Sequence, residues 1–202
     1  MIILYHMKEK EIEERVLISE EQYLKIEKYL KENFSHIKLI HQKNRYFDDG
    51  DMNIKKAGNV LRIRSFRSCK NRELTYKVKG LEGDIEYTQI LSHYWFYQIT
   101  RQSRLPDGQV KDQLLQHGID INSLKMIVDL YTKRMEVKID DYLFVLDANA
   151  YNGITDYNIE IESDVSKKHA KETILKYCEM FGLTYKDNYV VKSKRAFDSI
   201  KK

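Results

Sequence analysis

The feature that most constrains this chain is a series of strand-like alternations whose polar faces each carry charges of one sign. In NVLRIRSF, Leu61 and Ile63 alternate with Arg62 and Arg64; in ELTYKVKG, Leu74, Tyr76 and Val78 alternate with Thr75, Lys77 and Lys79. The acids behave likewise, Glu11 with Glu13 in EIEER and Glu160 with Glu162 in NIEIES. A period of two sends alternate residues to opposite faces of a strand. An antiparallel sheet with one wet face alternates in this way, but solvated faces usually mix charge signs with Thr, Ser and Gln. Like charges two apart on one strand face repel. A closed barrel whose interior binds a highly charged ligand supplies a reason for them: its interior positions alternate with exterior ones, and the apolar faces then pack outward against helices. Interior charges persist only when paired, hydrated or neutralised by a ligand. Carboxylate pairs suit Mg2+ or Mn2+, and Arg and Lys pairs suit phosphoryl oxygens. A cavity lined by both suggests a metal-bound polyphosphate.

The segments between these strands supply the outer layer. Ser19, followed by Glu20 and Glu21, marks a helix start, and Tyr23, Ile26, Leu30 and Phe34 recur at helical spacing. DDGDMNIKKAGN reads as a loop with a short crossing, and its Asp49, Asp51 and Asn53 lack the Gly and Glu that a calcium loop needs at its sixth and twelfth places. Ser92 to Lys125 turns mixed and helical, with an end at Gly118, and reads as a lid, a subunit contact or a helical cover. YTKRMEVKI sets Arg134 and Glu136 on one face, YLFVLDANAY carries Asp147, and a helix from about Ser166 to Phe181 ends at Gly182. VVKSKRAFDSI predicts a final basic helix.

Composition narrows the partners. The 202 residues include 8 Gly and 1 Pro with no linker-like run, which favours one domain over 1–202. Lys and Arg number 35 against 31 Asp and Glu, too small an excess to favour nucleic acid, and the acids would face the same backbone. Cys69 and Cys178 stand alone, and the six histidines never fall at metal-binding spacing. MIILYHMKEKE lacks the leading charges and length of a signal sequence, and no apolar run approaches the roughly 18 residues of a membrane span. The reading is a cytoplasmic protein with no membrane partner, monomer or homodimer, its 15 tyrosines serving an outer core or an interface.

The order of these motifs resembles the CYTH superfamily, the triphosphate tunnel metalloenzymes, and most closely the uncharacterised CYTH proteins of Gram-positive bacteria. EIEER is similar to the family's opening E-x-E-x-K. QKNRYFDDGDMNIKKAGNVLRIR resembles the segment that ends in paired arginines, ELTYKVKG the lysine-pair strand, and DIEY the acidic strand after it. TKRMEV resembles the R-x-E strand, VLDANAYNGITDYNIEIE the Asp and E-x-E half of the metal site, and VKSKRAF the terminal K-x-x-R. The likeness runs from about Glu9 to Phe197. One position departs: Arg15 stands where the family usually has Lys, which keeps the charge but cannot carry a proton.

The resemblance implies an α+β fold, a closed eight-stranded antiparallel β-barrel, or tunnel, with a charged interior and helices packed outside. It implies metal-dependent hydrolysis of a triphosphate, inorganic triphosphate foremost, with Mg2+ or Mn2+ as cofactor. Metal binding would fall to Glu11, Glu13, Asp147, Glu160 and Glu162. Phosphate binding would fall to Arg15, Arg62, Arg64, Lys77, Lys79, Arg134, Lys192 and Arg195. Glu86 and Glu136 would orient those cations or a second metal, and Glu86, Glu160 and Lys192 are the candidates for proton transfer. Thiamine triphosphatase, class IV adenylate cyclase and a non-catalytic polyphosphate or nucleotide-binding module are the alternatives.

Overall fold

The computed structural model describes residues 6–70, 72–81, 83–187 and 189–200, with side chains from residue 12 onward. Nine strands form one antiparallel sheet: β1 (His6–Glu11), β2 (Glu13–Ile18), β3 (Lys38–Asp48), β4 (Val60–Phe66), β5 (Arg72–Val78), β6 (Asp84–Leu91), β7 (Lys125–Ile139), β8 (Tyr142–Tyr151) and β9 (Ile154–Ser163). Their order is β1-β6-β5-β4-β3-β7-β8-β9-β2. The count is nine where the sequence predicts eight, because the N-terminal segment breaks at Ile12. Its first half pairs with β6, setting Glu11 opposite Asp84, and its second half pairs with β9, setting Glu13 opposite Glu162. The two halves thus hold opposite ends of the strand order, with no ladder between them. The sheet is strongly curled, since Glu13 on β2 reaches Lys77 on β5 at 2.9 Å.

Six helices complete the fold: α1 (Glu20–Asn33), α2 (Asn53–Lys56), α3 (His93–Gln102), α4 (Gln109–Gln116), α5 (Lys167–Phe181) and α6 (Lys192–Asp198). Local chemistry sets their ends. Ser19 accepts from the Gln22 N–H while the Gln22 side chain accepts from the Ser19 N–H, a reciprocal cap on α1. Gly182 ends α5 in the left-handed conformation, φ 66°, which costs glycine little. The segment read as a loop with a short crossing holds α2, whose first N–H groups are taken by carboxylates: Asp49 accepts from Asn53 N, and Asp48 from Ile54 N and Lys55 N.

The hydrophobic core lies on the outer face of the sheet, in two parts. One joins Val16, Met135, Val137, Phe144, Leu146, Ile159 and Ile161 to Tyr23, Ile26 and Leu30 of α1 and to Ile174 and Phe181 of α5. The other joins Leu61, Ile63, Leu74 and Tyr76 to Ile54, Ile99, Val110 and Leu114 of α2, α3 and α4. Ser92 to Lys125 is therefore a helical cover over β4, β5 and β6. A smaller cluster, Tyr46, Val128, Leu130 and Tyr151 with Ala196 and Phe197, docks α6 against the inner face. Among the described residues no helix is long and apolar enough to cross a membrane.

Candidate functional site

Alternation now places Glu13, Arg15, Arg62, Arg64, Lys77, Glu86, Arg134, Glu136, Asp147, Glu160 and Glu162 on the inner face, where they sort into two walls, while Lys133 of β7 points outward to Glu27 of α1. On β7, β8, β9 and β2 the wall is acidic. Asp147 and Glu160 are 0% and 1% exposed, and such burial is tolerable only with full compensation. Arg134 donates from Nε and Nη2 to the two oxygens of Asp147, both at 2.9 Å, and from Nη2 to Glu160 at 2.8 Å. It also lies 3.5 Å from Glu162 and 3.7 Å from Glu136. Lys192, brought in by α6, sits 2.5 Å from Asp147 and 3.0 Å from Glu160. Arg15 donates to Glu160 at 3.0 Å and ion-pairs with Glu13.

Burial pushes the Glu160 carboxyl up, but Lys192, Arg15 and Arg134 outweigh it and hold the group well below the usual carboxylate range. Lys192 goes the other way: burial depresses its ammonium more than Asp147 and Glu160 restore it. Arg134 is raised well above its ordinary value, its carboxylate neighbours overcoming burial.

The opposite wall, on β4, β5 and β6, is basic. Arg62 donates to both oxygens of Glu86 at 3.2 Å. Lys77 lies 2.9 Å from Glu13 and 3.5 Å from Asp84 and Glu86, so it ties the two walls together. Arg64 donates to Asn44 at 3.3 Å and lies 3.9 Å from Glu73. Burial lowers its pKa, with Arg62 and Arg134 adding to the effect. Between this wall and α6 lies a cavity of about 410 Å³. Among the described residues its cations are Arg15, Lys55, Arg62, Lys77, Lys79, Lys192 and Lys194, and its one carboxylate is Asp84.

The structure gathers Glu13, Asp147, Glu160, Glu162, Arg15, Arg134 and Lys192 into one network, and Arg62, Lys77, Lys79 and Glu86 into the facing wall. Glu13, Glu160 and Glu162 each offer a carboxylate oxygen within 4.8 Å of the others. Glu11 is a residue of β1, and its side chain lies outside the described residues. Glu136 touches Arg134, in keeping with an orienting role. Arg195 is committed elsewhere: it donates twice to Asp156 at 2.8 Å, to Tyr189 at 2.7 Å and to the Val190 carbonyl at 2.6 Å.

Other inner-face residues carry no family motif. Lys55 and Lys194 line the cavity, and the Tyr189 ring lies 5.9 Å from the Arg15 guanidinium and 5.4 Å from that of Arg195. Asn149 and Asn158 are fully buried, Asn149 accepting from Thr132 and donating to Asn158. The alternation that marks Asp147 and Glu160 also marks these two asparagines. Nothing in the sequence marks Lys55 or Lys194, because their placement depends on how α2 and α6 dock.

Comparison with known proteins shows the family and the fold. The CYTH domain model matches residues 9–188. A Bacillus subtilis protein named "Putative triphosphatase YjbK" is 32% identical over 155 residues, which are 77% of this chain and 78% of that one. A crystal structure described as a "putative adenylate cyclase" from Bacillus halodurans is 32% identical, superposes with a TM-score of 0.84, and covers 94% of this chain and 98% of its own. HpAC1 from Hippeastrum, described as an adenylyl cyclase with dominant triphosphatase activity, shares the fold at 20% identity and a TM-score of 0.76, with 96% of each chain covered. With a family model spanning nearly the whole inner-face network and a Gram-positive relative aligned over most of its length, the chain belongs to the CYTH domain family.

Proposed function

We propose that this protein is a divalent-metal-dependent phosphoanhydride hydrolase acting on a triphosphate, inorganic triphosphate foremost. The observation that carries the reading is the cavity whose inner cations, Arg15, Arg62, Lys77, Lys79 and Lys192, adjoin the Glu13, Glu160 and Glu162 cluster through Arg15 and Lys192. Such a lining suits a compact polyanion. The Bacillus subtilis relative is named a putative triphosphatase, which supports the reaction class. The chain would act as a single domain, its N-terminal segment bridging β6 and β9 so that the curled sheet encloses the substrate.

The donor set fits Mg2+ or Mn2+. All three groups are hard carboxylates with no soft ligand beside them. Glu13, Glu160 and Glu162 would hold the ion, with Asp147 behind them fixing Arg134 and Lys192. When bound, the ion would offset charge on the phosphoryl oxygens and acidify a water.

The chain's own residues do the rest. Arg62, Lys77, Lys79 and Lys192 would grip the phosphoryl oxygens, with Arg64 completing the row on β4. Glu86 orients Arg62 and Lys77 at the same time. Phosphoryl transfer passes through a loose transition state, so fixed cations aimed at its oxygens supply most of the acceleration. Proton transfer at the attacking water would fall to Glu86, Glu160 or Lys192. Arg15 serves as a charge bridge between Glu13 and Glu160, a role that needs no proton transfer.

Product identification tests the reading. Purified protein is incubated with Mg2+ or Mn2+ and each of triphosphate, ATP and thiamine triphosphate. The expected result is orthophosphate released fastest from triphosphate and lost in Glu160→Ala. Cyclic AMP from ATP would replace the reading with a cyclase. Thiamine triphosphate as the best substrate would narrow it to that enzyme, and tight binding without turnover would make the protein a binding module.

A further inference from the structure

Most cations in the cavity already have carboxylate partners: Arg15 has Glu13 and Glu160, Arg62 has Glu86, Lys77 has Glu13, Asp84 and Glu86, and Lys192 has Asp147 and Glu160. The rim differs. Lys55, from α2, and Lys194, from α6, share the single carboxylate of Asp198, at 2.9 Å and 2.7 Å. Two ammonium groups against one carboxylate leave a net positive charge. The exposed Lys79 ammonium adds to it, with no hydrogen-bonded or ion-paired partner among the described residues.

Lys55 and Lys79 are held by their surroundings. Lys55 Nζ lies 5.4 Å from the centre of the Phe197 ring. Lys79 is set by the turn beside it: its backbone N–H donates to Asn59 Oδ1 at 3.0 Å, and Asn59 donates in turn to the buried Tyr76 hydroxyl at 2.9 Å. Gly58 has φ +75°, and a Cβ there would come within 3.3 Å of Lys79 Cδ. The turn thus leaves the lysine room to lie along the cavity wall. The rim lies on the solvent side of the paired inner cations, where a linear polyanion longer than the inner site would emerge.

We propose that Lys55 and Lys194 form an additional anion subsite, outward of the Lys79 that grips triphosphate, which takes the distal phosphoryl group of a linear inorganic polyphosphate longer than triphosphate. The subsite rests on the triphosphate reading above and extends it to substrate length. A nucleoside at this point would leave the excess positive charge of Lys55 and Lys194 over Asp198 unmet, whereas a phosphoryl group would meet it, so the rim selects phosphate over base. Asp198 acts as the counter-charge that the extra phosphoryl group displaces.

The test is calorimetric titration of metal-free protein with inorganic triphosphate, tetraphosphate and ATP, which reads binding without turnover. Wild type should bind tetraphosphate at least fivefold more tightly than triphosphate. The Lys55→Met/Lys194→Met double variant should lose that preference while its triphosphate affinity changes less than twofold. Asp198→Asn, which keeps both lysines and removes their counter-charge, should strengthen tetraphosphate binding. Equal affinity for the two polyphosphates in wild type, an unaltered preference in the double variant, tighter binding of ATP than of tetraphosphate, or weaker tetraphosphate binding in Asp198→Asn would each overturn the subsite while leaving the triphosphate reading intact. Absence of triphosphate binding in wild type, both without metal and with Mg2+ added, would overturn both.

Discussion

The acidic and basic walls face each other across one cavity, yet their charges are held in different ways. On the acidic side, Asp147 and Glu160 are removed from water and survive because Arg134, Lys192 and Arg15 meet them from three separate elements. On the basic side, Arg62, Lys77 and Lys79 keep contact with the open cavity, the first two paired to Glu86 and Glu13. A buried carboxylate left unpaired is costly, whereas a half-hydrated lysine is not. The acidic wall is thus a rigid, pre-neutralised seat and the basic wall an adjustable clamp. Truncations on the first should act on stability and turnover, and truncations on the second on affinity.

The largest effect should come from Arg134→Met. It strips hydrogen bonds from Asp147 and Glu160 together, and urea denaturation should show a loss of about 3–5 kcal/mol. A loss below about 1 kcal/mol would mean that the acidic wall is hydrated and the two walls are alike. Glu160→Gln comes next. It keeps the shape of the seat and removes its charge, and kcat for triphosphate should fall about 100-fold or more with the fold retained.

The walls should also separate in pH. Glu160 and Asp156 are both held below their ordinary values, burial being outweighed by Lys192, Arg15 and Arg134 for the first and by Arg195 and Tyr151 for the second. A carboxyl depressed in the folded state contributes stability that is complete above its unfolded value and lost as pH falls through the folded one. Melting temperature should therefore be level near neutrality and decline below the ordinary values of 4.5 and 3.8. A decline that begins near pH 6 would point to other groups. The smallest effect belongs to the clamp: Lys79→Met should raise KM roughly tenfold, equivalent to about 1.4 kcal/mol, with kcat nearly unchanged. An equal fall in kcat would place Lys79 in the chemistry.

Much of this division was legible in the residues. The pairs Arg62 with Arg64 and Glu160 with Glu162 each sit on one strand, so local alternation is enough to place them on one face, and Lys79 follows one residue past the end of β5. The helices from Glu20 and from Lys167 follow from their caps at Ser19 and Ser166. Partnerships across the cavity were not legible. Lys77 with Glu13, Lys192 with Asp147 and the Lys55–Asp198–Lys194 cluster depend on sheet curl and on how α6 docks, to which no periodicity speaks. The break at Ile12 was hidden because both halves of the segment keep strand character and only their partners change. Arg195 falls in the K-x-x-R pattern, but the helix turns its guanidinium onto Asp156, a carboxylate with no place in the motif.

The central claim is that carboxylates of the acidic wall seat the metal while the facing cations hold the phosphates. A crystal grown with Mn2+ and triphosphate, with anomalous scattering used to place the ion, tests it most directly. The account expects manganese bonded to oxygens of Glu13, Glu160 and Glu162, and phosphoryl oxygens on Arg62, Lys77 and Lys79. Manganese bound away from those carboxylates, or triphosphate bound outside the cavity, would contradict it.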